Sequence, residues 1–193
     1  MRFLYICFIV FLFIVNIPLC LIIALLVILD SGFPVLYRQK RVGKDNRVFT
    51  IYKFRTMGLG AEKKQHSLRY LNEANGPVFK IRDDPRFTRV GKFLAHTGLD
   101  ELPQLVNVIK GDMALIGPRP LPVGEAKKLK PWQRTRHTIK PGIISPAIMT
   151  GTYHENFDAW MKSDIEYIKN KNIVYDFQMA VRSVLFLASL WRT

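Results

Sequence analysis

The sequence of 193 residues contains only two cysteines, Cys7 and Cys20, and both lie in an apolar N-terminal run. There each is predicted to pack as a small hydrophobic residue. Because the chain has no CxxC pair and no cysteine–histidine cluster, nothing in it indicates a zinc site. A chain of this length buries a sizeable core without disulfides, and nothing points to an oxidising compartment. Internal repeats and low-complexity stretches are also missing, so we expect one domain with an appendage.

Acidic residues are scarce, with 15 Asp and Glu against 29 Lys and Arg, which gives a net charge of +14. Such a surplus favours anionic partners, namely nucleic acid, anionic lipid headgroups or phosphorylated small molecules. A nucleic-acid-binding protein would need aromatic stacking platforms or a recognition helix, and the sequence shows neither. We therefore expect no nucleic acid among the partners. A membrane-tethered protein that binds nucleic acid or lipid is kept as the alternative function.

Charge is absent from Phe3 to Leu29. As a helix this run would be about 40 Å long, which is enough to cross a bilayer with tilt. It is too long for a cleaved signal peptide, and the exit at 30–32 offers no cleavage site. No second run is long and apolar enough to cross.

Asn16 and Pro18 lie in the middle of this run. Pro18 lacks a backbone donor and clashes with the preceding turn, so a kink is predicted here. Arg2 precedes the run, and basic residues also follow it, so the positive-inside rule places both flanks in the cytoplasm. The residues alone leave a spanning helix and a re-entrant helix pair open. In either case the chain from Tyr37 onward is expected on the cytoplasmic side.

The rest of the chain predicts an α+β fold that is mainly helical. Val48 to Arg55 is rich in β-branched and aromatic residues and predicts a strand, on which Lys53 and Arg55 share a face. A mobile loop with a short helix is predicted over 58–86, and a stiff extended turn at Gly-Pro-Arg-Pro, 117–120. Helical patterns cover 87–96, 102–109, 158–169 and 173–191. The four histidines are scattered and are predicted to be surface or capping groups.

Asp100 and Glu101 are adjacent acids in this basic chain. Pro103 favours the first position of a helix, so the acids are predicted near a helix N-terminus. A capping box from Thr97 would explain Asp100 without any catalysis. The basic surroundings favour a phosphoryl site instead, because a carboxylate can attack phosphorus and a second one can hold Mg²⁺.

Several motifs follow one another in a fixed order along the chain. They are PVLYRQKRVG (34–43), IYKFRTM (51–57), DPRFTRVGKFL (84–94), GLDELPQL (98–105), NVIKGDM (107–113) and GPRP (117–120). Together they resemble the bacterial sugar transferases, the monotopic polyprenyl-phosphate phosphoglycosyl transferases. The number of ordered motifs makes the resemblance far more specific than one short pattern.

The resemblance implies transfer of a phosphosugar from a UDP-sugar to undecaprenyl phosphate with release of UMP and with Mg²⁺ as cofactor. This step would initiate glycoconjugate, exopolysaccharide or O-antigen assembly. Asp100 matches the family nucleophile, which carries a covalent phosphosugar, and Glu101 matches its metal-linked partner, so both are candidate metal ligands. Arg119 matches a phosphate-contacting arginine. The other substrate-binding residues that the resemblance implies are Lys53, Arg55, Arg86 and Asp164.

The resemblance also implies a membrane arrangement. Pro18 matches the helix-breaking proline of a re-entrant anchor, so residues 1–33 are expected to form a re-entrant helix hairpin broken near Asn16 and Pro18. Residues 34–193 would form a small catalytic domain with a short β element and interfacial helices. This domain would contact phospholipids on the cytoplasmic face of the bacterial inner membrane. The chain resembles the minimal form, and its 144–157 region departs from the family pattern. A non-catalytic scaffold of a polysaccharide assembly complex is a further alternative.

Overall fold

The structure is a computed structural model that describes residues 2–151 and 156–190. The fold is a mixture of helices and sheets, and 57% of the structure is helical. The helices are α1 (Arg2–Val15), α2 (Ile17–Ser31), α3 (Ala61–Lys64), α4 (Arg89–Thr97), α5 (Leu105–Lys110), α6 (Val123–Ala126), α7 (Pro146–Met149), α8 (Phe157–Asn170) and α9 (Ile173–Leu190). The strands are β1 (Leu36–Val42), β2 (Val48–Phe54), β3 (Ala114–Ile116), β4 (Leu121–Pro122) and β5 (Gly142–Ile144). Longer 3₁₀ segments are Leu99–Gln104 and Pro131–Thr138.

The predicted mixed, mainly helical class is confirmed, and most predicted elements occur within a few residues of their expected bounds. The strand predicted over Val48 to Arg55 is observed as β2, which ends at Phe54, so Arg55 lies just beyond the strand. The last predicted helix is described to Leu190, and its expected final residue Trp191 lies outside the described residues. In the divergent region, residues 152–155 also lie outside them.

The N-terminal run is two helices that meet at Asn16 with a bend of 47°. The Asn16 side chain donates to the Leu12 carbonyl at 2.8 Å, and Pro18 lies in the first turn of α2, where its missing N–H costs nothing. Within the described residues no single helix reaches the length and apolarity of a membrane span, whereas α1 and α2 together do. The predicted break is therefore confirmed.

One compact unit consists of residues 1–39, 51–73 and 79–110. Its core joins Ile23 and Val27 of α2 to Phe54 at the end of β2 and Leu94 of α4. Helix α1 also lies against α5. The N-terminal helices thus share their core with segments of the expected catalytic region, while the predicted boundary at residue 33 stays a prediction.

Helix α4 begins with a double cap. The Thr88 hydroxyl accepts from the Gly91 N–H at 3.0 Å, and the Asp30 carboxylate accepts from the Val90 N–H at 3.0 Å. Each satisfies an N–H that the first turn of a helix leaves free, and the Asp30 charge is favourable beside the positive end of the helix dipole. Gly98, with φ of 72°, ends the helix in the left-handed region that suits glycine. These caps fix the start and the end of α4.

The other compact unit consists of residues 40–50, 74–78 and 111–193. Strand β3 pairs in parallel with β5, and β4 pairs antiparallel with the end of β1, with Leu121 opposite Val42. Trp160 and Met161 of α8 pack on Leu121 in one core cluster. A second cluster contains Ile116, Tyr167 and Met179. Helix α9 exposes an apolar row made of Ile173, Val174, Phe177, Val181, Val184 and Leu185.

Candidate active site

Lys53 lies between the two adjacent acids. Its Nζ is 2.6 Å from Glu101 Oε1 and 3.4 Å from Asp100 Oδ2, and all three side chains are largely buried. In such surroundings a charge is stable only when it is paired and hydrogen-bonded. The structure therefore brings together three of the predicted site residues as one cluster of two carboxylates and one ammonium.

The acids are presented by the 3₁₀ segment Leu99–Gln104, which follows directly on Gly98. The capping box from Thr97, the alternative explanation of Asp100, is not formed at this segment. The Thr97 hydroxyl donates back to the carbonyls of Phe93 at 2.9 Å and Leu94 at 3.2 Å, as the last residue of α4. A hydroxyl bonded within its own helix does not cap the next one. Pro103 lies inside the 3₁₀ segment rather than at the first position of α5, while the acids lie in the first turn of that segment, near a helical N-terminus as predicted.

A buried amide fixes strand β2 against α5. Asn107, fully buried, accepts at its Oδ1 from the Tyr52 N–H at 3.2 Å. Tyr52 is the residue before Lys53. This bond therefore fixes the backbone of β2 from which the Lys53 ammonium reaches Asp100 and Glu101. Gln104, in the motif that carries the acid pair, and Asn107, in the motif that follows it, are both buried polar residues.

The donor set fits a magnesium ion. Mg²⁺ is a hard cation that takes one or two protein carboxylates and completes its shell with phosphate oxygens and water. Asp100 and Glu101 supply two carboxylates, both within reach of one ammonium. Across residues 2–151 and 156–190, no group of three or more His, Cys, Asp or Glu side chains is placed to hold a metal. Any metal at this acid pair would therefore need ligands from a substrate or from water.

Arg55 and Arg86, two predicted substrate-binding residues, contact the protein itself. Arg55 is buried, and its Nη2 donates to the Ser31 carbonyl at 2.8 Å and to the Gly32 carbonyl. Arg55 therefore caps the C-terminus of α2. The last carbonyls of a helix lack helical partners, and a cation is stabilised there by the negative end of the helix dipole. Arg86 donates from two nitrogens to Asp84 and from Nη1 to the Ala61 carbonyl at 3.1 Å. A role in substrate binding stays a prediction for both.

Arg119 and Asp164 belong to the second unit. Asp164 is fully buried and accepts from Arg136 Nε at 3.0 Å and Nη2 at 2.7 Å. Burial raises the pKa of Asp164 to about 6, against the opposing effect of the Arg136 guanidinium. Nη2 of Arg136 also donates to the Arg119 carbonyl at 2.7 Å. Asp164 is thus connected to the Gly-Pro-Arg-Pro turn through Arg136.

Among the histidines that the structure describes, His137 is the one for which the surface prediction is wrong; His154 lies outside the described residues. It is 7% exposed, and its Nδ1 lies 2.8 Å from Asn46 Oδ1. Burial, with the nearby charges of Arg136 and Arg134, lowers the pKa of His137 to about 4. His137 is therefore a neutral structural group at neutral pH that holds the turn between β1 and β2.

The sequence reasoning missed Arg136 and Asn107. Arg136 falls in a basic stretch, where a charge run usually marks a solvated face, yet it is 2% exposed. Asn107 stands in a motif without any local sign of burial. Arg136 is buried by its packing against α8, and Asn107 by its packing against β2. No periodicity or spacing in the sequence indicates the burial of either residue.

Comparison with known proteins places the chain in a family. The family model described as bacterial sugar transferase matches residues 1–189. The galactosyl transferase CpsE of Streptococcus agalactiae is 39% identical over 86% of this chain and 38% of its own length. The exopolysaccharide production protein PSS of Rhizobium leguminosarum is 35% identical over 87% of this chain and 84% of its own length.

A third relative is the UDP-glucose:undecaprenyl-phosphate glucose-1-phosphate transferase of Escherichia coli, 34% identical over 86% of this chain and 35% of its own length. The chain spans less than two fifths of two of these three relatives and most of the third. The family match nevertheless runs over almost every residue, including the acid pair and the bent helices. The chain belongs to the bacterial sugar transferase family.

Proposed function

We propose that this protein transfers a sugar phosphate from a UDP-sugar to a polyprenyl phosphate such as undecaprenyl phosphate and releases UMP. The observation that carries the proposal is the cluster of Asp100, Glu101 and Lys53 within a bacterial sugar transferase fold. A relative whose name gives this type of reaction is 34% identical to the chain. The transfer would be the first step in the assembly of a surface polysaccharide or glycoconjugate.

In the proposed reaction a carboxylate oxygen of Asp100 attacks the phosphorus that carries the sugar. The new O–P bond forms as the bond from that phosphorus to the bridging oxygen of the diphosphate breaks, and UMP leaves with the electron pair. A phosphate oxygen of the polyprenyl acceptor then attacks the same phosphorus. The Asp100–phosphorus bond breaks, and the carboxylate is regenerated.

Lys53 and Glu101 have supporting roles in this proposal. The Lys53 ammonium holds both carboxylates in place and offers positive charge beside the transferring group, where charge develops. Glu101 and Asp100 would be the protein ligands of Mg²⁺, which would supply a cation for the diphosphate oxygens. Arg119 of the Gly-Pro-Arg-Pro turn would contact a donor phosphate, as the planar guanidinium suits phosphate geometry.

The bent helix pair is proposed to be a re-entrant membrane anchor. Apolar side chains along it are exposed to a large extent, with Phe3 at 76%, Leu21 at 66% and Leu29 at 74%. The apolar row on α9 is exposed in the same way and would suit a helix at the membrane surface. An anchor of this kind would keep the acid pair at the cytoplasmic face, where a soluble donor and a lipid acceptor meet.

The activity is tested by a screen of UMP release. Purified full-length protein in detergent with Mg²⁺ and undecaprenyl phosphate should release UMP with at least one UDP-sugar in a broad panel, and omission of Mg²⁺ should stop the release. The donor that reacts fastest names the sugar. Absence of UMP release with every donor would contradict the proposal and would favour the non-catalytic scaffold.

The membrane topology is tested by cysteine labelling in cells. Single cysteines at positions 2 and 44, in a chain without Cys7 and Cys20, should both resist a membrane-impermeant maleimide until the cells are opened. If the cysteine at position 2 reacts in intact cells, α1 and α2 span the membrane and the re-entrant arrangement is refuted. A cysteine on an unrelated external protein serves as the labelling control.

A further inference from the structure

The first half of the Gly-Pro-Arg-Pro turn is fixed by backbone pairing. The Gly117 N–H donates to the Ile144 carbonyl at 3.1 Å, and the Gly142 N–H donates to the Pro118 carbonyl at 3.0 Å. Both bonds lie beside the parallel ladder of β3 and β5, in which Gly142 is opposite Ala114. A Cβ at Gly142 would lie 2.0 Å from the Gly117 nitrogen, so the two backbone segments approach each other more closely than any residue but glycine permits at this position.

The second half of the turn is held by arginines instead. Arg136 Nη2 donates to the Arg119 carbonyl at 2.7 Å, and Arg41 Nη1 donates to the Pro120 carbonyl at 2.8 Å. Pro118 and Pro120 have no N–H, so the hydrogen bonds that hold this segment are accepted mainly by its carbonyl oxygens. Hydrogen bonds from a charged donor are shorter and stronger than those between neutral groups. The backbone that follows the Arg119 side chain is thus constrained by two guanidinium groups, and the backbone that precedes it by the Gly142 N–H bond to the Pro118 carbonyl.

Arg136 is itself oriented by Asp164. Two guanidinium nitrogens meet Asp164 Oδ2, at 3.0 and 2.7 Å, and the residues are 2% and 0% exposed. A carboxylate with no exposed surface does not reach a soluble or lipid-borne substrate. The contact of Asp164 with the turn runs through Arg136, which uses Nη2 for both the carboxylate and the Arg119 carbonyl.

We propose that Arg136, held by Asp164, is a positioning residue that sets the direction of the Arg119 side chain toward the donor phosphate. This inference rests on the proposed function, and it replaces direct substrate binding by Asp164 with an indirect role. The planar fork of Arg136 serves a carboxylate and a carbonyl at once with fixed geometry. A lysine at this position keeps the charge but not the fork, so it would leave the turn less well fixed.

The test is a double-mutant cycle on the KM for the UDP-sugar that gives the fastest UMP release. Arg136→Lys should raise this KM by about tenfold, which corresponds to the loss of one charge-assisted hydrogen bond. Arg119→Ala should raise it at least as much. In the Arg119→Ala background, Arg136→Lys should cause no further increase, because residues that act through one another are not additive. Asp164→Asn should repeat the pattern of Arg136→Lys.

The matched control is Arg134→Lys in the same 3₁₀ segment. Arg134 Nε donates to the Leu129 carbonyl at 3.2 Å, away from the turn, so this variant should keep the wild-type KM. The inference is overturned if Arg136→Lys leaves KM unchanged while it lowers the unfolding temperature, or if its effect multiplies with that of Arg119→Ala. Wild-type protein without UMP release would refute the proposed function, and this inference with it.

Discussion

Asp100→Asn should abolish UMP release, with a loss of roughly a thousandfold or more, because an amide oxygen does not attack phosphorus as a carboxylate does. The substitution keeps the shape of the side chain. Lys53 retains its 2.6 Å contact with Glu101, so the site should stay folded around the changed residue. The measurement is the initial rate of UMP release with saturating donor and acceptor, together with the unfolding temperature of the purified variant.

Two further substitutions make this result specific. Asp83→Asn removes an exposed carboxylate that pairs with Lys92 on the surface and should leave the rate unchanged. Glu101→Gln should lower the rate and raise the Mg²⁺ concentration needed for half-maximal activity, since it removes a proposed metal ligand. If Asp100→Asn retained near-wild-type activity, the nucleophile would have to be another residue.

Gly91→Ala should destabilise the protein by about 3 kcal/mol or more, because the added Cβ meets backbone rather than a flexible side chain. It would lie 1.9 Å from the Thr56 carbonyl oxygen. That carbonyl cannot move away freely, since it accepts from the Thr88 N–H at 3.1 Å. For a chain of this size the loss corresponds to a fall in unfolding temperature of about 6–12 °C.

The control for this prediction is Gly124→Ala. Gly124 lies in helix α6, and a Cβ there would have no heavy atom within 4 Å. Alanine at this site should be neutral or stabilise the protein by up to about 1 kcal/mol, since glycine disfavours helix. Equal unfolding temperatures for the two alanine variants would show that the close approach of α4 to residue 56 is not required.

Part of the fold follows directly from sequence pattern. The strand at 48–54 and the helices α4, α5 and α8 have clear periodicity, and Pro18 predicted the break between α1 and α2. The acid pair in a basic chain indicates a phosphoryl site, the family resemblance implies the separate roles of the two acids, and the geometry adds that Lys53 reaches both. Local patterns are sufficient in these places because each element is either amphipathic or bounded by a residue with a restricted backbone conformation, such as Pro18.

Other features depend on tertiary contacts that local sequence does not encode. The burial of Arg136 depends on Asp164, 28 positions away in the chain, and that of His137 on Asn46, 91 positions away. A capping box from Thr97 is the alternative that local sequence leaves open for Asp100, but the Thr97 hydroxyl donates to the Phe93 carbonyl within α4 instead. In the sequence alone, a polar residue whose partner is far along the chain cannot be distinguished from a polar residue on the surface.

Polar contacts at the end of α2 connect the proposed anchor to the acid pair. Asp30 caps α4 through the Val90 N–H, and Arg55 binds the carbonyls of Ser31 and Gly32 just after β2. Strand β2 carries Lys53, and α4 leads into the segment with Asp100. The last turn of α2 is therefore hydrogen-bonded to the start of α4 and to the residue that follows β2, the two elements that lead to the acids and to Lys53.

The most direct test of the central claim is to locate the sugar phosphate on the protein. Protein incubated with the reactive UDP-sugar and Mg²⁺, but no acceptor, should gain the mass of one sugar phosphate. Trypsin would release residues 93–110, in which Asp100 and Glu101 are the only acids. Fragmentation should place the added mass on Asp100, and undecaprenyl phosphate should remove it. An adduct on another residue, or acceptor-dependent UMP release that never passes through an adduct, would contradict the account.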